Sequence, residues 1–124
     1  MEFVFTEGAP RPLGHYSQAV ISNKLVFVSG QLPIDPVTSK VSESIQEQTS
    51  RVLDNLENIL AAAGASLKNV VKVTGYISDI SLWGEVNEVY AKRFGDHRPA
   101  RAVVPCRELP RGCLIELETV AELP

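Results

Sequence analysis

The sequence predicts an α+β fold: a mixed sheet of six strands with two helices packed side by side on one of its faces. Three observations carry this expectation. β-Branched runs and segments of helical period alternate in the order strand, two hairpin strands, helix, strand, helix, strand, strand. Each helical segment bears a single apolar stripe, and the economical way to bury two such stripes is against one shared sheet face. The chain of 124 residues, 44% of them hydrophobic, is long enough for a real core, and no repeat, low-complexity tract or linker-like block divides it. Residues 1–124 therefore read as one domain.

Taken in order, Glu2 to Thr6 alternate weakly and read as an edge strand. A loop follows, punctuated by Gly8, Pro10, Pro12 and Gly14. Gln18–Ser22 and Leu25–Ser29 are rich in Val and Ile and flank Asn23-Lys24. Asn tolerates positive φ, so the pair predicts a tight hairpin. Gly30 to Val41 is a loop of turn formers, among them Pro33, Asp35-Pro36 and Thr38-Ser39. The longest helix opens on Ser44-Ile45-Gln46-Glu47, where hydroxyl and carboxylate can satisfy each other's free amides as a capping box. Ile45, Val52, Leu56, Ile59, Leu60 and Ala63 then recur at helical spacing, and Gly64 supplies the stop. Val70–Ser78 is the next strand. Ser81 caps a second helix with a stripe of Trp83, Val86, Tyr90 and Phe94, ended by Gly95. Arg101–Arg107 and Cys113–Ala121 close the chain as two strands joined by Glu108-Leu109-Pro110-Arg111-Gly112.

On that last strand Ile115, Leu117, Thr119 and Ala121 point one way, and Leu114, Glu116, Glu118 and Val120 the other. The second set is too wet for a helix-covered face and too greasy for plain solvent. Such a face packs well against another copy of the chain, so an oligomer is expected.

Composition removes several functions. With 15 Asp and Glu against 12 Lys and Arg the formal net charge is −3, which argues against a protein built to neutralise a polyanion. No apolar run of about 18 residues is present, and no charged-then-apolar leader, so the expected location is the cytoplasm, away from membranes. The two cysteines, Cys106 and Cys113, have no His or Cys partner at ligand spacing, so no metal site is expected. There is no Walker loop, no Gly-rich dinucleotide fingerprint and no Ser/His/Asp or Cys/His arrangement. An enzyme with this sequence works without the common cofactors, on a substrate that is itself reactive.

Four clusters place polar residues where propensity does not ask for them. In Gly14-His15-Tyr16-Ser17-Gln18, Tyr16 offers a phenol to a ligand or covers a core edge. In Ser29-Gly30-Gln31, glycine at a strand exit allows a ligand close to the backbone amides, or makes a simple turn. In His97-Arg98-Pro99-Ala100-Arg101, Arg101 precedes Ala102-Val103-Val104 and is harder to leave in water than Arg98. Its guanidinium suits a two-point grip on a carboxylate, from a ligand or across an interface. Glu116, between Ile115 and Leu117, is either a proton shuttle of raised pKa or half of a salt bridge.

Together these clusters resemble the Rid family (YjgF, also called L-PSP). The matching pieces run in order along nearly the whole chain: Gly14-His15-Tyr16-Ser17-Gln18-Ala19, Ser29-Gly30-Gln31-Leu32-Pro33, Asp35-Pro36, Gln48-Thr49, Asn55, Asn87-Glu88-Val89-Tyr90, Pro99-Ala100-Arg101, Leu109-Pro110 and Ile115-Glu116-Leu117-Glu118. The resemblance implies a fold like chorismate mutase, assembled as a homotrimer with ligand clefts between subunits. It also implies hydrolysis of imines and enamines such as 2-iminopropionate and 2-aminoacrylate to 2-keto acids and ammonia, with no cofactor. By the same resemblance Arg101 would bind the substrate carboxylate and Glu116 would position water, with Tyr16, Ser29, the Gly30 backbone and Asn87 lining the cleft.

Two positions depart from the family pattern. His15 stands where proline is usual, and Val103 where many bacterial members have a cysteine, Cys106 being displaced by three residues. Two other functions compete with deamination. One is a non-catalytic regulator that binds small carboxylates or keto acids in the same clefts. The other is the ribonuclease or translation-inhibitor activity ascribed to parts of the family, which the net charge disfavours.

Overall fold

A computed structural model describes all residues, 1–124. Its first elements follow from a turn. Asn23 and Lys24 both adopt positive φ, 50° and 64°, the two-residue geometry whose twist matches that of the flanking strands. They join β2 (Ala19–Ser22) to β3 (Leu25–Gln31), and β1 (Glu2–Val4) pairs with the outer edge of β2. The remaining elements are α1 (Ile45–Ala62), β4 (Val70–Ile77), α2 (Trp83–Phe94), β5 (Ala100–Pro105) and β6 (Ile115–Glu122). The architecture is α+β, a six-stranded mixed sheet with two helices, as expected.

The sheet order is β1-β2-β3-β6-β4-β5, with only β4 and β5 parallel. The two closing strands, consecutive in the chain, are not neighbours: β6 runs antiparallel between β3 and β4, and β5 is an edge. Burial decides this. β6 carries four fully inward residues, Ile115, Leu117, Thr119 and Ala121, and suits the centre, whereas no residue of β5 is fully buried.

α1 begins as predicted, with the Ser44 hydroxyl accepting from the Glu47 amide at 3.1 Å, although the return bond of the box is not made. It ends with Gly64 at φ 88°, where the amides of Gly64 and Ala65 reach back to the carbonyls of Ala61 and Leu60. Ser81, expected to cap α2, does not. Asp79 accepts from the Ser81 amide at 2.8 Å and opens a short 3₁₀ turn, Ile80–Leu82, so α2 starts only at Trp83, with no side-chain cap. Trp83, in the first turn, is 39% exposed, and Val86, Tyr90 and Phe94 form the buried stripe.

Those three pack with Val52, Leu53, Leu56, Ile59 and Leu60 of α1 over Val26, Val28, Val73, Ile77, Ile115 and Leu117 of the sheet, as one core cluster. The opposite sheet face is uncovered. A row of apolar side chains crosses it in register, Phe3, Val20, Phe27 and Val120, with Phe3 and Phe27 exposed.

Three buried amides tie loops to this frame. Gln18 accepts from the Thr6 amide and donates to the carbonyls of Thr6 and Pro10. Asn55 donates to the carbonyls of Leu32 and Ile34, both at 3.0 Å. Gln48 donates to Ser42 at 2.7 Å and accepts from the amide of Leu114, just before β6, at 2.8 Å. Substituting Gln48 with Leu keeps the volume but strands two backbone groups. It is expected to lower unfolding free energy by about 1–3 kcal/mol in urea titrations.

Candidate functional site

The site begins with an irregularity in the sheet. Val28 pairs with Thr119 and Gln31 with Leu117, so Ser29 and Gly30 of β3 stand opposite Glu118 alone, a β-bulge. The bulge presents the backbone of Gly30 to the Glu116 side chain. A Cβ at residue 30 would overlap the Glu116 carboxylate and lie 3.1 Å from its Cδ, so only glycine leaves the carboxylate its seat.

Around this seat Leu13, Gly14, Tyr16, Ser29, Gly30, Leu32, Pro110 and Glu116 line an open depression of about 390 Å³. Four of the expected residues, Tyr16, Ser29, Gly30 and Glu116, therefore come together in one chain. Tyr16 lies nearly half exposed rather than over a core edge, and its oxygen accepts from the Leu13 amide at 3.2 Å. Ser29 donates its hydroxyl proton to the Ser17 carbonyl at 2.6 Å, which leaves only oxygen lone pairs for a ligand. Burial, and secondarily the neighbouring Glu118 carboxylate, push the Glu116 carboxyl above its ordinary pKa, and within the chain it has no salt-bridge partner. The depression is thus lined by a half-buried acid and hydroxyl oxygens.

Arg101 and Asn87 lie elsewhere. Arg101 pairs with Val73 in the β4–β5 register, so it points to the helix-covered face, whereas Glu116 pairs with Tyr76 on the open face. Arg101 and Asn87 line a second depression of about 380 Å³ with Tyr90, His97 and Pro99. The Arg101 guanidinium sits 4.6 Å from the Tyr90 ring centroid and 5.5 Å from that of Trp83, with no carboxylate and no hydrogen-bond acceptor on it. Aromatic faces steady a guanidinium without occupying its N–H groups, so the fork is free to take a carboxylate at two points. One chain thus holds two separate depressions on opposite sides of its sheet.

Val103 points to the same face as Arg101, opposite Gly75. Cys106 is half-buried and Cys113 buried, its thiol pushed up by burial; His15 is exposed. No three His, Cys, Asp or Glu side chains are grouped to hold a metal, and no helix is long and apolar enough to cross a membrane.

Sequence reasoning named Gln18, Gln48, Asn55 and Tyr90 as pieces of the pattern but missed that they hold the site in place. Gln18 fixes the loop before Tyr16, Gln48 fixes the start of β6, and Trp83 with Tyr90 brackets Arg101. For Gln48 and Asn55 a signal existed, an amide on the apolar stripe of α1. For the aromatic bracket none did, since it depends on tertiary packing that brings Trp83 and Tyr90 of α2 to Arg101 of β5.

The chain matches the family model described as endoribonuclease L-PSP over residues 6–123. A RutC family protein of Pyrococcus abyssi is 49% identical over 121 residues, covering 97% of this chain and 95% of that protein. Reactive Intermediate Deaminase A of Arabidopsis thaliana, a chloroplastic protein, is 47% identical over 123 residues, covering 98% of this chain and 66% of that protein. Among solved structures, TdcF of E. coli with bound serine superposes with a TM-score of 0.96 at 33% identity, covering 100% of both chains.

Replacing Gly30 with Ala is expected to change the thermal midpoint little, because the colliding atoms end a flexible side chain. It should drive the carboxylate into solvent and return the Glu116 pKa toward the ordinary range, read by ¹³C carboxyl NMR titration.

Proposed function

The chain belongs to the endoribonuclease L-PSP family, and from that premise we propose that it hydrolyses small 2-imino and enamine acids to 2-keto acids and ammonia. The observation that carries this reading is the free Arg101 fork, steadied by two aromatic rings and shared with no acid of its own chain. The serine in TdcF and the deaminase name of the Arabidopsis relative support it.

Arg101 binds the substrate carboxylate and sets the imine carbon at a fixed distance and angle from a water. On the protonated imine, the Glu116 carboxylate orients that water and takes its proton as the C–O bond forms and the C=N pair returns to nitrogen, giving a neutral carbinolamine. Glu116 then returns the proton to the nitrogen and takes the hydroxyl proton as the C=O bond forms and the C–N bond breaks, which releases ammonia and leaves the 2-keto acid. Imines of this kind hydrolyse unaided, so positioning and a single proton carrier suffice, and no cofactor is called for. Tyr16, the Ser29 oxygen, the Gly30 backbone and Asn87 border the substrate.

Because Arg101 and Glu116 face opposite sides of the sheet, a site that uses both takes them from different copies of the chain. The apolar row Phe3, Val20, Phe27 and Val120 supplies a surface for that assembly, which we take to be a homotrimer with three shared clefts, acting in the cytoplasm.

Mixed with a pyridoxal-phosphate threonine or serine dehydratase, the protein should accelerate keto acid release over an albumin control. Arg101→Ala removes charge-assisted hydrogen bonds worth about 1.5–3 kcal/mol and should cut kcat/KM by roughly 10- to 150-fold. No acceleration by the wild-type protein would sink the deaminase reading. Keto acid binding without turnover would favour a regulator using the same clefts. Sedimentation equilibrium should give the mass of three chains.

A further inference from the structure

Two acids stand side by side on the open face of β6, and the reaction above uses only one. Glu116 and Glu118 are two residues apart on a strand and so share a face. Tyr76 of β4 lies directly opposite Glu116 in the register, yet its hydroxyl reaches Glu118 and donates to Oε1 at 2.7 Å. Glu118 in turn is the residue that faces the bulge of Ser29 and Gly30. Phenol and second carboxylate therefore flank the Glu116 seat, one from the neighbouring strand and one from its own.

We propose that Tyr76 and Glu118 are positioning residues for Glu116: the phenol pins the second carboxylate beside it, and Glu116 between them is the acid that starts enamine hydrolysis. This rests on the deaminase reading. The groups that face Glu116 fit such a role. Glu118 comes from β6, Tyr76 from β4, Tyr16 from the loop across the depression, and Cys113, with Arg111 close to it, from the turn before β6. β3 contributes only Ser29 and Gly30. Within the chain no cation forms a salt bridge with Glu116, and on the deaminase reading Arg101 of a neighbouring copy is taken up by the substrate carboxylate. Burial and Glu118 both act to raise the Glu116 pKa, and the hydrogen bond to Glu118 holds the Tyr76 phenol proton in place.

The step balances. The Glu116 carboxylic acid gives its proton to the terminal carbon of the enamine as the C=C pair forms that C–H bond and the nitrogen lone pair closes the C=N bond. The products are an iminium ion and the Glu116 carboxylate. That carboxylate is then the base that accepts a proton from the attacking water, which restores the acid. One residue serves both halves, provided it rests protonated.

The test uses the full-length protein and its Glu118→Gln and Tyr76→Phe variants, with ¹³C carboxyl NMR to follow Glu116, its signal assigned by loss in Glu116→Gln. The Glu116 midpoint should fall by about half a unit or more in Glu118→Gln, and by less in Tyr76→Phe, where Glu118 is free to swing away. The alkaline limb of kcat/KM for an enamine substrate should move down by the same amounts, since activity is lost as the acid deprotonates. A Glu116 midpoint unmoved in both variants overturns the inference, and so does a midpoint that moves while the limb stays. A moving midpoint in a protein with no wild-type deaminase activity supports the pairing and overturns the deaminase reading instead.

Discussion

A strand sends alternate side chains to opposite faces, so burying Ile115, Leu117, Thr119 and Ala121 beneath the helices obliges Glu116, Glu118 and Val120 to face the other way. At an edge that obligation would be loose. In the centre of the sheet, held by β3 on one side and β4 on the other, β6 cannot slip by one residue without turning its core residues out. The acids on its open face are therefore placed by the same forces that make the core. The bulge at Ser29 and Gly30 is a local exception, and it falls where the Glu116 carboxylate needs room.

Holding an acid in that seat opposes stability. A carboxyl with a folded pKa above its unfolded value binds protons more tightly in the native state, so its contribution declines as pH rises from the ordinary carboxylate range through the raised value. The surroundings that offset this cost are neutral and polar: Gln18, Gln48 and Asn55 satisfy backbone groups of the loops that line or abut the depression. On the helix-covered face the balance is the reverse. Arg101 keeps its charge in contact with aromatic faces, which steady it while leaving its donors unspent.

Much of the fold was legible in the chain because it rests on local rules. The Asn23-Lys24 hairpin, the Ser44 cap, the Gly64 stop and the alternation along β6 each depend on residues close in sequence, and each is found. The errors have a common origin in competition between near-equivalent local choices. Asp79 takes the Ser81 amide from the extended approach to α2, so Ser81 is spent in a 3₁₀ turn and does not cap the helix. The strand ends moved for a related reason: pairing with β6 carries β3 on to Gln31, past the bulge.

The sequence by itself determined the inventory: two amphipathic helices, a strand with two faces of different character, an arginine set among apolar residues, a glycine at a strand exit. Tertiary structure decided how that inventory is divided. Strand order put β6 inside and β5 at the edge, and register sent Arg101 to one side of the sheet and Glu116 to the other. Neither follows from local pattern, because strand order and register are settled by burial summed over the whole sheet, in which residues distant in the chain become neighbours.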